Sequence, residues 1–215
     1  MSIRQEQKLK TRQAIIDAAL ELSKDKGFPA LSLREVTRQA GIAPATFYRH
    51  FVDMEDLGLA LVDQVGLILR QLMRQARHRV KVKGSVITTS VETFMEFVEN
   101  YPNLIRLLKT DIVSGPRPFR VAIQRETRRF AEELEDDFKR DQSQNLRPPL
   151  AHLSEVAEMM VLLVFNQGVE ALEMNTAERK LLSEKIVREL RLIIAGSRVL
   201  AAAQNREQDS SAASN

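Results

Sequence analysis

Residues 32–51 leave the chain little choice of local structure. Ser32 and Glu35 have the S-x-x-E spacing of a capping box, which predicts a helix beginning at Leu33. Leu33, Val36 and Ala40 then fall on one face, three and four residues apart. Gly41 follows at once, where a left-handed backbone costs glycine little, and closes that helix. Pro44 is suited to open the next helix, because its fixed φ fits the first helical position and its missing N–H is not needed there. The second helix is predicted to be about two turns long and to hold Ala45 to His50. Phe47 and Phe51 face inward, and Ala45, Thr46, Tyr48, Arg49 and His50 are left outside.

A helix this short is not stable alone, since isolated helices below roughly 12–15 residues are marginal in water. It must be braced from behind, and what it displays is small, hydrogen-bonding or basic. Those are the properties of a helix that enters the major groove of DNA. The plain alternative is an ordinary corner between two helices of a bundle. Charge placement bears on the choice. The formal net charge is only +3, yet residues 1–52 hold nine Lys/Arg against five Asp/Glu, and the remainder holds 23 against 24. All of the positive excess therefore lies with the two-helix motif, as a phosphate-facing module requires.

This stretch and its flanks resemble the amino-terminal DNA-binding domain of TetR-family transcriptional regulators. The resemblance is carried by the run from Arg12 to Leu22, by Gly27-Phe28, by Leu31 to Val36, by Ala40 to Ala43, and by Phe47 to Phe51. It continues through Leu57 to Leu59, Leu69 to Arg77, Gly84 to Ile87 and Thr93 to Phe97. Those later pieces resemble the branch that represses unsaturated fatty-acid synthesis genes and senses long-chain acyl thioesters. Two positions depart from the wider family. Ala43 stands where a Ser or Thr cap is usual, and Met54 stands where a Lys often opens the next helix.

The resemblance implies an all-α fold of about nine helices. Residues 1–52 would form a three-helix, helix-turn-helix DNA-binding domain. Residues 53–203 would form a helical ligand-binding and dimerisation domain, and the polar tail 204–215 is expected to lack structure. A dimer implies double-stranded DNA with a palindromic operator, its half-sites roughly 34–36 Å apart. Thr46 and Ala45 would approach base edges, Ala45 being able to touch a thymine methyl. Tyr48 and His50 would hold phosphates, Arg49 would do either, and Pro44, which opens the helix, is counted among the DNA-binding residues. Lys10, Arg34 and Arg38 are further phosphate candidates. The effector would be a long-chain acyl-CoA or acyl-carrier-protein thioester.

The rest of the chain reads as helices. Residues 4–26 carry Ile15, Ile16, Ala19 and Leu22 on one face and stop at Gly27. Asp53 caps a long helix whose seam runs Leu57, Leu61, Val65, Ile68, Leu72, with Gly58 and Gly66 inside it. Arg70, Arg74, Arg77 and Lys81 form a basic stripe, either a solvated face or an anion site for the phosphates of coenzyme A. Further helices are expected over 85–100, 103–113, 119–140, 151–174 and 176–203, with a loop at 115–118 and a linker over 141–149. Gly66, Arg70, Arg74, Phe94, Phe97, Leu104, Leu108, Phe130, Met159 and Phe165 are the candidate ligand-binding residues. The acidic run Glu132, Glu133, Glu135, Asp136, Asp137 is read as a solvated face, because consecutive helical carboxylates diverge. The helix over 151–174 is apolar over too wide an arc for one neighbour, and with the helix over 176–203 it suggests a four-helix contact with a twofold mate, an intramolecular core being the alternative.

No cofactor or metal is expected. There is no cysteine, and the three histidines have no metal-ligand spacing. No P-loop, dinucleotide-binding glycine pattern or nucleophile elbow occurs, so catalysis is not expected. No apolar run approaches the roughly 18 residues of a membrane span, and the polar start is unlike a signal peptide. The expected location is the cytoplasm. Two other readings remain open: the same fold sensing a hydrophobic drug and controlling an efflux pump, and a helical interaction module that binds no DNA.

Overall fold

The computed structural model describes residues 2–79, 85–103, 105, 117–144 and 146–212. Among them are eight α-helices and no strand. They are α1 (Ile3–Lys26), α2 (Leu33–Gln39), α3 (Pro44–Phe47), α4 (Met54–Arg79), α5 (Val86–Asn100), α6 (Arg117–Ser143), α7 (Leu153–Glu170) and α8 (Thr176–Ala212). The all-α class expected from the sequence is the one observed. Short 3-10 turns at Phe28–Ala30 and Ala171–Glu173 complete the description.

The helix boundaries follow from local chemistry. Ser2 and Ser32 each cap a helix with a reciprocal box, Ser2 with Gln5 and Ser32 with Glu35. Asp53 accepts from the Asp56 N–H at 2.8 Å, and Asp56 accepts from the Val52 N–H at 3.0 Å, which fixes the start of α4. Asn175 does the same for α8, accepting from the Ala177 and Glu178 N–H groups. Gly41 has φ +67. Its N–H reaches the Arg38 carbonyl while the Ile42 N–H reaches Thr37, the paired bonds of a left-handed helix stop.

Three boundaries differ from expectation. The α-helical ladder of α3 ends at Phe47, and residues 48–50 continue as turns. The Arg49, His50 and Phe51 N–H groups keep that segment coiled by bonding to Thr46, Phe47 and Phe47. Arg117 and Pro118 open α6 instead of closing a loop, since a proline in the first turn forfeits no helical bond. Finally, α8 runs on to Ala212 through much of the tail expected to lack structure, because its Ala, Gln, Arg and Glu residues are good helix formers. The helix expected over 103–113 lies largely outside the described residues.

The chain divides into two units. The first comprises residues 1–72 and 96–126, the second residues 73–95 and 127–215. Helices α4, α5 and α6 each contribute residues to both. In the first unit, Ile15, Ile16 and Ala19 of α1 are buried with Phe28, Leu31, Val36, Phe47, Phe51, Leu57 and Leu61. Phe28 and Phe119 press against the α4 backbone at Gly58, where a methyl group would overlap both rings. In the second unit, Val156, Ala157 and Met160 of α7 are buried, as are Leu182, Ile186 and Leu190 of α8. Buried Ser197 of α8 donates to the Ala151 carbonyl at 2.6 Å and anchors the segment leading into α7.

Candidate nucleic-acid interface and ligand cavity

The first unit presents α3 on a brace of aromatic side chains. Phe47 is completely buried, with its ring centroid 5.6 Å from that of Phe51. The Arg12 guanidinium covers Phe51 at 4.7 Å, so this α1 cation closes the back of the motif as a cation–π partner. On the opposite side Pro44, Ala45, Tyr48 and Arg49 are exposed, and Thr46 and His50 are half-buried. Arg34 and Arg38 of α2 are exposed beside them in the chain, and Lys10 is exposed on α1, paired with Glu6 at 2.9 Å. The exposed set is methyl, hydroxyl, phenol and guanidinium, which are the groups that meet base edges and phosphates in a groove.

His50 differs from the others. Burial, then the cations of Lys8, Arg12 and Arg49, hold its pKa below the ordinary imidazole value. It is therefore neutral at pH 7. Its Nδ1 is buried without a hydrogen-bond partner among the described residues. Tyr48 is 62% exposed and touches Phe47 edge-on, which leaves its hydroxyl clear of the core. Tyr48→Phe is expected to weaken binding about equally on every duplex, by the roughly ten- to hundredfold that one hydrogen bond to a charged oxygen is worth. Substitutions of Thr46 are expected to change sequence preference instead. Competition binding against a panel of duplexes separates the two, and equal losses on all sequences for both variants would contradict these roles.

The second unit contains a cavity of about 160 Å³. Phe94, Phe130 and Phe165 form one end of its lining, with ring centroids 5.5 Å apart for Phe94–Phe165 and 5.4 Å for Phe130–Phe165. Phe94 lies directly over the α7 backbone at Gly168, where any side chain would collide with the ring. The aliphatic wall comes from α5, α6, α7 and α8. Charged residues of α4 and of the α6–α7 segment complete it: Arg77, Arg140 and Arg147 against Asp137 and Asp141. Asp137 binds Arg77 at 2.6 Å and Arg140 at 2.8 Å, and Asp141 binds Arg147 at 3.2 Å.

The candidate ligand residues are thus distributed over different places. Phe94, Phe130 and Phe165 come together at the cavity. Phe97 is buried in the first unit against Tyr101, at 4.8 Å between centroids. Gly66 and Arg70 are also in the first unit. There Arg70 is buried in an ion pair with Glu126, whose carboxylate lies against the α4 backbone at Gly66. Arg74 pairs with Glu133 at 3.0 Å and is exposed. Met159 is exposed on α7 and does not line the cavity. Leu104, Leu108 and Lys81 lie outside the described residues. The acidic run on α6 is divided among partners, Glu133 with Arg74, Glu135 with Lys139 and Asp137 with Arg77. No group of acidic or histidine side chains among the described residues is arranged to hold a metal.

Sequence reasoning did not single out Ser90, Phe138, Arg140 or Arg147 as lining residues. Ser90 carried a usable signal, since it falls four residues from both Val86 and Phe94 on the inner face of α5. Arg140 and Arg147 carried none, because only folding brings them to the lining.

The α2–turn–α3 motif and the all-helical remainder define the class, a helix-turn-helix protein with a second helical unit. Residues 15–61 match the model of bacterial regulatory proteins of the tetR family. The fold is shared with a TetR-family transcriptional regulator from Streptomyces coelicolor, at 18% identity over 98% of this chain and 87% of that one, TM-score 0.67. It is shared with Thermus thermophilus FadR, a TetR-family transcriptional repressor in complex with lauroyl-CoA, at 18% identity over 85% and 92%, TM-score 0.62. Bacillus subtilis FadR in complex with stearoyl-CoA is similar too, at 16% identity over 86% and 98%, TM-score 0.61. The matched segment is that family's amino-terminal domain, and the fold of the described chain is one that TetR-family regulators share. No helix among the described residues is long and apolar enough to cross a membrane.

Proposed function

We propose that the protein is a homodimeric, ligand-responsive repressor of unsaturated fatty-acid synthesis genes that senses long-chain acyl thioesters in the cytoplasm. The observation that carries the ligand reading is the cavity of the second unit. Its lining is phenylalanine and aliphatic, and its charged residues number three guanidiniums against two carboxylates. That combination fits an amphiphile with an anionic head and an apolar chain. It disfavours the cationic drugs that many efflux regulators would meet. Two proteins of the same fold are named for their complexes with lauroyl-CoA and stearoyl-CoA, which supports the same ligand class.

The cavity volume bears on mechanism. About 160 Å³ is close to the void that holds a benzene. A long acyl chain enters only by displacing side chains, so filled and empty states differ in packing. Such a ligand changes operator affinity by the factor to which it prefers one state, and no more. Dimerisation would use the outer face of the last two helices. Leu181, Leu192 and Val199 are exposed along α8, with Leu192 at 70%, and Met159 and Leu162 are exposed on α7. Gly196 has open space above it and would let a second helix approach closely.

The effector reading is tested by titrating acyl-CoAs of differing length and saturation into an operator-binding assay. A shift of fivefold or more is expected for chains of sixteen or eighteen carbons, the lower end of ordinary allosteric couplings. No shift with any chain would end this reading.

A further inference from the structure

Ser90 carries one of the few buried polar atoms without a partner among the described residues. Its Oγ is sealed from solvent and has no hydrogen-bond partner among the described residues, and Ser90 lines the cavity of the second unit. A helical serine ordinarily returns its hydroxyl to the carbonyl one turn back. Ser143, Ser183 and Ser23 all do so or bond one residue nearer. Ser90 does not, although a hydroxyl buried without a partner is destabilising. Its neighbours along the α5 face are Val86, Ile87, Val91 and Phe94, none of which offers a side-chain partner.

We infer that Ser90 is a specificity residue that donates its hydroxyl to a carbonyl oxygen of the bound effector, next to the thioester sulfur. The inference rests on the acyl-thioester reading above and adds to it the recognition of a polar group of the bound chain. The geometry carries it. Ser90 stands one helical turn, about 6 Å, along α5 from Phe94. Asp137, at the charged end of the lining, stands two turns, about 10 Å, along α6 from Phe130. Phe94 and Phe130 both pack on Phe165, so the two distances start from one aromatic cluster. An occupant with its apolar part on the phenylalanines brings the first polar group of its chain beside Ser90. In an acyl-CoA that group is the thioester carbonyl, an acceptor with no hydrogen of its own, and the pantetheine arm continues from it toward the charged end of the lining. It matches the hydroxyl donor.

The test compares palmitoyl-CoA with S-hexadecyl-CoA, in which a methylene replaces the carbonyl, on the wild-type full-length protein and on Ser90→Ala. Calorimetric titration is expected to show the wild type binding the thioester about three- to tenfold more tightly, the worth of one neutral hydrogen bond. Ser90→Ala is expected to bind both compounds alike, with an affinity near that of the wild type for the thioether. Equal binding of the thioether by both proteins would show that the cavity is intact in the variant. A preference for the thioester that survives in Ser90→Ala, or is absent from the wild type, overturns the assignment of Ser90 while leaving the effector class standing. Failure of the wild type to bind either compound overturns the effector reading and the assignment with it.

Discussion

Phe47→Ala is expected to lower stability by about 3–5 kcal/mol, the usual cost of deleting a fully buried aromatic ring, and to reduce operator binding by more than a hundredfold. The ring is completely buried and is packed by Tyr48 and Phe51. The helix it holds is four residues long, with no side-chain cap, so nothing local preserves it once the brace is gone. Native chains have only about 5–15 kcal/mol in hand, which makes the loss a large share of the total. Thermal or urea unfolding at fixed protein concentration measures the first effect, and operator titration the second. Tyr48→Ala provides the contrast, because that side chain is mostly exposed and its removal is expected to spare stability while weakening DNA binding. A Phe47→Ala protein as stable as the wild type, or one that binds operator normally, would show that α3 is braced by something else.

Breaking the Arg70–Glu126 pair is expected to be comparably damaging. Both side chains are buried, and the Glu126 carboxylate fills the space that Gly66 leaves on α4. Removing one partner of a buried ion pair typically costs 3–5 kcal/mol, whereas replacing both with apolar residues is often neutral. Glu126→Ala and Arg70→Ala are therefore each expected to destabilise strongly, and Arg70→Met combined with Glu126→Leu to recover most of the loss. Denaturant unfolding of the four proteins gives the comparison directly. Additive losses in the double variant would mean that the two charges do not depend on each other.

The α2–turn–α3 motif was legible because its signals are local. A capping box, a left-handed glycine and a helix-opening proline fall within thirteen residues, each fixing the backbone without help from elsewhere. The end of α3 was less legible, since turn bonds after Phe47 and α-helical bonds share nearly the same residues and burial. The reach of α8 was obscured by polarity. A tail rich in Ala, Gln, Glu and Arg reads as solvated, yet those residues also favour a helix. The cavity was legible in its hydrophobic part, where Phe94, Phe130 and Phe165 were among the expected residues, but not in its charged part. Glu126 lies 56 residues from Arg70, and Asp137 lies 60 from Arg77, separations over which no sequence period survives. Arg70 read as an anion-binding cation because its partner is visible only in the folded chain.

The central claim is that α3 and its exposed residues read DNA. It is tested most directly by measuring binding to the preferred duplex, selected from a random pool, and to a scrambled duplex across a range of salt concentrations. Affinity for both is expected to fall linearly on logarithmic axes with a slope steeper than about −4, as phosphate contacts from two reading heads require. The selected duplex should be a palindrome bound at least about a thousandfold more tightly than the scrambled one. A flat salt dependence, or equal affinity for the two duplexes, would contradict the account.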